Sequence, residues 1–189
     1  MVKRSTESFQ YLEFVKRTRQ PRSTGELFYI KMKGMGYIPG RVVSVGCAIT
    51  PEAFYDGEPI EVRKQAHLLH KQAHLIYIYN SVYDTAAFAS PRDACNLLIP
   101  PVICLTGWSQ GYFIPLRIEQ PTEYKTLPVH CFFFGRYDYR KNQPYLEFCN
   151  EQGKRLSKCY TPYGSFGPYT HRGVEQLIAE AHGWPYIDK

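Results

Sequence analysis

The stretch GWSQGYFIPLRIEQP (107–121) decides between two very different folds. Its first five residues have the Gly-x-Ser-x-Gly form of a nucleophile elbow, which needs a strand, a sharp turn and then a helix whose first amides support an oxyanion. The segment after Gly111 is rich in β-favouring residues and carries Pro115 four positions on. The expectation is therefore an extended chain after Gly111, with Gly107 and Gly111 serving a tight connection between two strands. Ser109, Asp138 and His171 do copy the chain order of an α/β-hydrolase triad, but that fold is built on a doubly wound parallel sheet. This chain shows no regular alternation of strands and helices from which to build one.

Working outward, ELFYIKM (26–32) alternates Phe28 and Ile30 on one face, MKGMG supplies turn glycines, and YIPGRVVSVG (37–46) reads as the second strand. Pro39 lacks an N–H for a ladder and so predicts an edge or a bulge there. LIYIYN (75–80), NLLIPPVICLT (96–106), GYFIPLRI (111–118) and PVHCFFFGRYDY (128–139) are further strands, and PYLEFCNEQGKRLSKCY predicts a hairpin turning at Asn150–Gly153. YTPYGSFGP (160–168) reads as a loop leading into the last helix. The fold class is α+β and β-dominated: a mostly antiparallel twisted sheet or small barrel with N-terminal, central and C-terminal helices packed on it. One domain spans 1–189, divided into a basic N-terminal helix or extension (1–22), a β-rich body (25–160) and a C-terminal helix (170–183).

The three helices rest on spacing. Ser8, Tyr11, Leu12 and Val15 fall at i, i+3, i+4, i+7, with Lys16, Arg17 and Arg19 near the negative end of the dipole before Pro21. Val62, Ala66, Leu69, Ala73 and Ile76 make a central stripe flanked by His67, His70 and His74. These histidines read as a boundary face rather than a zinc site, because Arg63 lies between them and no carboxylate accompanies them. Val174, Leu177, Ile178 and Ala181 make the last stripe, with Gly183 as its stop.

The net charge of +6 is concentrated: residues 1–33 hold eight Lys/Arg against three Glu, which is +5 and leaves the body nearly neutral. The six cysteines form no C-x-x-C pair and, in a chain without an export signal, are expected as buried thiols. No apolar run reaches the ~18 residues of a membrane span, so a cytoplasmic protein is expected. No cofactor or metal motif is present, and catalysis is not expected.

GELFYIKMKGMGYIPGRVVS, LIYIYN and LLIPPVICLTGWSQGYF together resemble a family of bacterial immunity proteins, the twenty-sixth in the usual numbering. The likeness runs from Gly25 to about Leu116 and consists of Gly25 with an acidic residue, the Phe28/Ile30 alternation, Gly36-Tyr37, Arg41-Val42, the strand at 76–79 and the Trp108…Gly111 turn. The family usually has Asp where this chain has Glu26. The resemblance implies a non-catalytic inhibitor that binds the C-terminal toxin domain of a polymorphic or contact-dependent inhibition system. Interface energy concentrates in Trp, Tyr and Arg anchors. Candidate contacts are thus the acidic loop with Glu52, Tyr55, Asp56, Glu58 and Glu61, then Trp108, and the FGRYDYRKN segment with Tyr137, Tyr139 and Arg140. A nucleic-acid-binding small β-barrel, using Lys16, Arg17, Arg19 and Arg22, is the alternative. A serine hydrolase acting through Ser109 is the third reading.

Overall fold

The computed structural model describes residues 11–49, 71–93, 96–159 and 163–185. Strand β1 (Glu26–Met32) pairs antiparallel with β2 (Gly36–Val45), from Leu27 opposite Arg41 to Met32 opposite Gly36. Next come β3 (His74–Ile78), β4 (Val102–Cys104), a single helical turn α1 (Gly107–Gln110) and β5 (Phe113–Ile118). The hairpin of β6 (Phe132–Asp138) and β7 (Gln143–Cys149) is followed by the two-residue strands β8 (Arg155–Leu156), β9 (Gly164–Ser165) and β10 (Pro168–Tyr169). Helix α2 (His171–Ala181) closes the described chain.

Two mixed sheets result among the described residues, a six-stranded one in the order β10-β4-β3-β2-β1-β5 and a four-stranded one in the order β8-β7-β6-β9. Neither closes into a barrel. The segment expected as loop before the last helix contributes a short parallel strand to each: β9 lies beside β6 and β10 beside β4. Each face of the large sheet is buried against something different. Phe28, Ile30, Ile38, Val42, Ile76 and Ile78 meet Val174 and Ile178 of α2, while Leu75, Tyr77, Tyr79 and Ile103 meet Phe132, Phe134 and Cys149 of the small sheet. A strand covered on both faces needs no polar alternation, which is why β3 reads as an unbroken run and is buried throughout.

Pro39 is neither at an edge nor at a bulge. Its strand β2 is interior, and the register shift falls between Val42 and Ser44. The carbonyl of Pro39 accepts the Tyr79 N–H, so its ring nitrogen also faces the β3 side, at the point where β3 has just ended. The missing donor thereby costs the ladder with β1 nothing.

The N-terminal helix is corrected over its described part. Residues 11–19 are not helical: Leu12 bridges Met32, the Glu13 amide donates to Lys31 O, and Lys33 donates to Tyr11 O. Sheet-edge pairing has overridden a helical stripe. The described end of the central stripe is corrected likewise, since Ile76 lies in β3 and Ala73 just before it; His67 and His70 lie outside the described residues. Helix α2 matches expectation and ends in the pattern glycine permits. Gly183 at φ +67° donates to Glu180 O, and Trp184 donates to Ala179 O. Its buried stripe is rotated, though. Glu175 is buried where Ala181 was expected, and its Oε1 accepts the amides of Tyr11 and Leu12 at 2.7 and 2.8 Å. The carboxylate docks the N-terminal segment by satisfying amides that no strand pairs.

The expectation of six thiols is overturned at one pair: Cys131 and Cys159 form a disulfide, their Cα atoms 5.6 Å apart. Tertiary approach, not local spacing, brings them together. Cys47, Cys104 and Cys149 are free and buried as expected, and burial pushes Cys47 and Cys104 up to about 11, which keeps them protonated. Among the described residues no helix is long and apolar enough to cross a membrane.

Two carboxylates tie the layers electrostatically. Burial alone would raise Glu119, but hydrogen bonds from Ser90, Arg41 and Arg117 hold it below its ordinary value of 4.5. Glu151 behaves the same way, its burial outweighed by His130, its own amide and Gln152. His130 in turn meets the Tyr77 hydroxyl at 2.7 Å between the sheets. Glu26 runs opposite, raised by burial against the weaker pull of Arg22. Depressed carboxylates stabilise the fold above their unfolded pKa, and that contribution is lost as pH falls through the folded values. The urea midpoint is thus expected to hold near neutrality and to fall steeply below about pH 4.5, less steeply in Glu119→Gln. A midpoint unchanged from about pH 6 to pH 3 contradicts this.

Candidate binding sites

The residues GWSQ form one helical turn, and Gly111 comes next at φ +89° before β5 runs extended against β1. A side chain at Gly111 would place its Cβ 2.5 Å from the Phe14 ring, so left-handed backbone and close approach both require glycine. The extended exit is as expected; the helical turn replaces the simple β-connection. The elements of an elbow are otherwise committed. The Gln110 amide, which would face an oxyanion, donates to Thr106 O at 3.0 Å, and the Ser109 hydroxyl donates to the same carbonyl at 3.2 Å. His171 Nδ1 lies 3.0 Å from Thr106 Oγ1 and its ring stacks on Tyr112, while Asp138 accepts the Arg140 and Lys141 amides at the tip of the β6–β7 hairpin. Each of the three residues in the triad order thus has a partner outside it. Ser109 is expected to stay unmodified by a serine-directed phosphonate, as read by intact-protein mass spectrometry; labelling that Ser109→Ala abolishes would restore the hydrolase reading.

Beside this turn lies a cleft of about 670 Å³. One wall is the extended basic segment, held there by the Val15 amide on Gly111 O and the Thr18 amide on Trp108 O. The rest of the lining is the end of β2 with the entry to β3, including Lys71 and His74, together with Leu105, Trp108 and Ser109. Trp108 is 3% exposed and packs edge-on against Phe28, Phe113 and His74. The expected surface placement of Trp108 is therefore corrected: it is a core residue that only underlies the cleft. The four basic candidates also separate. Lys16, Arg17 and Arg19 are exposed, whereas Arg22 is bound to Glu26 at 2.7 Å and to Gln20 O, its guanidinium 5.8 Å from the Trp108 ring.

The second surface is the β6–β7 arm. Its root, from Phe132 to Phe134 and from Phe148 to Cys149, packs into the fold, but beyond Gly135 the side chains of both strands are exposed or half-buried. Tyr139 is 87% and Leu146 59% exposed, with Tyr137 and Tyr145 beside them. The tip is nevertheless ordered by its own contacts. Tyr137 donates to Asn142 Oδ1 at 2.6 Å and meets the Tyr139 ring edge-on at 5.1 Å, and Asn142 adopts φ +51° in the turn. The structure thus gathers Tyr137, Tyr139 and Arg140 at one exposed end.

Compared with protein-family models, curated proteins and solved structures, the chain matches none. Glu52, Tyr55, Asp56, Glu58 and Glu61 lie outside the described residues. Sequence reading missed Tyr145 and Leu146 on the arm and Lys71 at the cleft, and read His74, which also lines the cleft, as a boundary-face histidine. For the arm a signal existed: QPYLEFC carries an isolated apolar pair in a strand whose alternation is weak. Nothing local marks the cleft, whose lining comes from four separate parts of the chain.

Proposed function

We propose that this protein is an immunity-type inhibitor that binds a toxin domain and covers its active site without chemistry of its own. The observation that supports this reading is the arm. Two strands exposed along their outer half bury little, and a hairpin with no covering layer is only marginally stable by itself. Here it is stiffened at its tip and offers Tyr137, Tyr139, Tyr145 and Leu146 with Arg140, the aromatic and arginine composition of interface hot spots. An inhibitor of ordinary size needs about 1,200–2,000 Å² of total buried surface, and the arm supplies a rigid centre for one. The test is co-expression with the C-terminal domain encoded immediately upstream of this reading frame. Rescue of growth and co-purification are expected, and failure of both removes the reading.

Nucleic-acid binding is the second reading, favoured by the exposed run of Lys16, Arg17 and Arg19. It requires affinity that falls steeply with added salt and disappears when those three charges are neutralised.

A further inference from the structure

The cleft beneath the GWSQG turn is independent of the arm, whose residues line none of it. Its volume falls within the roughly 300–1,000 Å³ of small-molecule sites. Among the described residues three cationic side chains, Arg19, Arg22 and Lys71, line it, and no Asp or Glu does. Arg22 is spent on Glu26. Arg19 and Lys71 come from separate segments of the chain, both exposed and neither paired with a carboxylate among the described residues. Pro21, Val45 and Leu105 give the same lining an apolar part. We propose that this cleft binds a small organic anion, a carboxylate or phosphate carried on a flat apolar body.

Positive charge beside a low-dielectric lining strengthens the local field, so an anionic head is attracted to Arg19 and Lys71 while the body displaces water from Pro21, Val45 and Leu105. A bare inorganic anion leaves that apolar lining wet, and a neutral aromatic leaves the two cations unused. Both parts of the ligand are thus specified by the walls that meet them. The site needs no partner protein, and its failure would leave the inhibitor reading untouched.

The experiment is isothermal titration of the full chain with phenyl phosphate and benzoate, with benzyl alcohol and inorganic phosphate as controls. Saturable binding of at least one aromatic anion is expected, with either control at least about tenfold weaker. The exposed double substitution Arg19→Gln/Lys71→Gln is expected to weaken binding about tenfold or more with an unchanged melting temperature, and Tyr139→Ala to leave it unchanged. Absence of saturable heat for both aromatic anions up to about 10 mM overturns the proposal. So does equal affinity for benzyl alcohol or inorganic phosphate, or indifference to the double substitution.

Discussion

Arg41→Ala is expected to lower the melting temperature by roughly 6–20 °C, the largest effect of any single substitution considered. Arg41 is fully buried, and every part of its guanidinium is engaged. Nη2 shares its two hydrogens among Glu119 Oε2 at 2.8 Å, Ser90 Oγ at 2.7 Å and Pro91 O at 3.0 Å; Nε donates to the Tyr79 hydroxyl at 3.1 Å and Nη1 to Gly25 O at 3.4 Å; and the group lies 3.9 Å over the Tyr124 ring. The one side chain ties β2 to the crossing segments around residues 90 and 119. Truncation leaves Glu119 buried, with Ser90 and Arg117 as its remaining ligands, and breaking a buried pair from one side costs about 3–5 kcal/mol. The companion double change Arg41→Met/Glu119→Leu removes both charges and is expected to recover a substantial part of the loss. Thermal unfolding followed by circular dichroism decides it, and a single-variant shift under about 2 °C contradicts the role given to the network.

The second large effect is on binding alone. Tyr139→Ser/Leu146→Ser is expected to weaken toxin-domain binding at least about a hundredfold, since two hot-spot residues at about 2 kcal/mol each exceed that factor. The same variant is expected to keep its melting temperature within about 2 °C, because these side chains contribute little buried area to the fold. Surface plasmon resonance on the co-purified toxin domain supplies the measurement. Unchanged affinity with an unchanged fold places the contact surface elsewhere and withdraws the arm.

Much of the architecture was legible because it rests on local chemistry. The alternation of ELFYIKM, the glycines of MKGMG, the hairpin turn at Asn150–Gly153 and the Gly183 stop each reflect a backbone requirement that a few neighbouring residues satisfy. The same holds for the decisive stretch: Pro115 and β-branched or aromatic neighbours keep the chain after Gly111 extended, and β5 pairs there. Exposure of Tyr137, Tyr139 and Arg140 was legible from rings with polar handles at the end of a strand, but the hairpin that presents them was not.

Long-range choices were not. A helical stripe in residues 11–15 was overruled by the free edge at Met32 and by the carboxylate of Glu175, which lies 163 positions from Leu12. Trp108 looks like a turn aromatic until Phe28, Phe113 and His74 close around it. The pairing of Cys131 with Cys159, the burial of Arg41 and the meeting of Arg19 and Lys71 in the lining of one cleft likewise depend on which segments pack together. Strand, turn and helix-stop preferences are set by neighbours within a few residues, so this chain's own order of amino acids determined them. Partner choice for a buried charge, a thiol or a cleft wall is set by atoms distant in the chain, and only tertiary packing decided it.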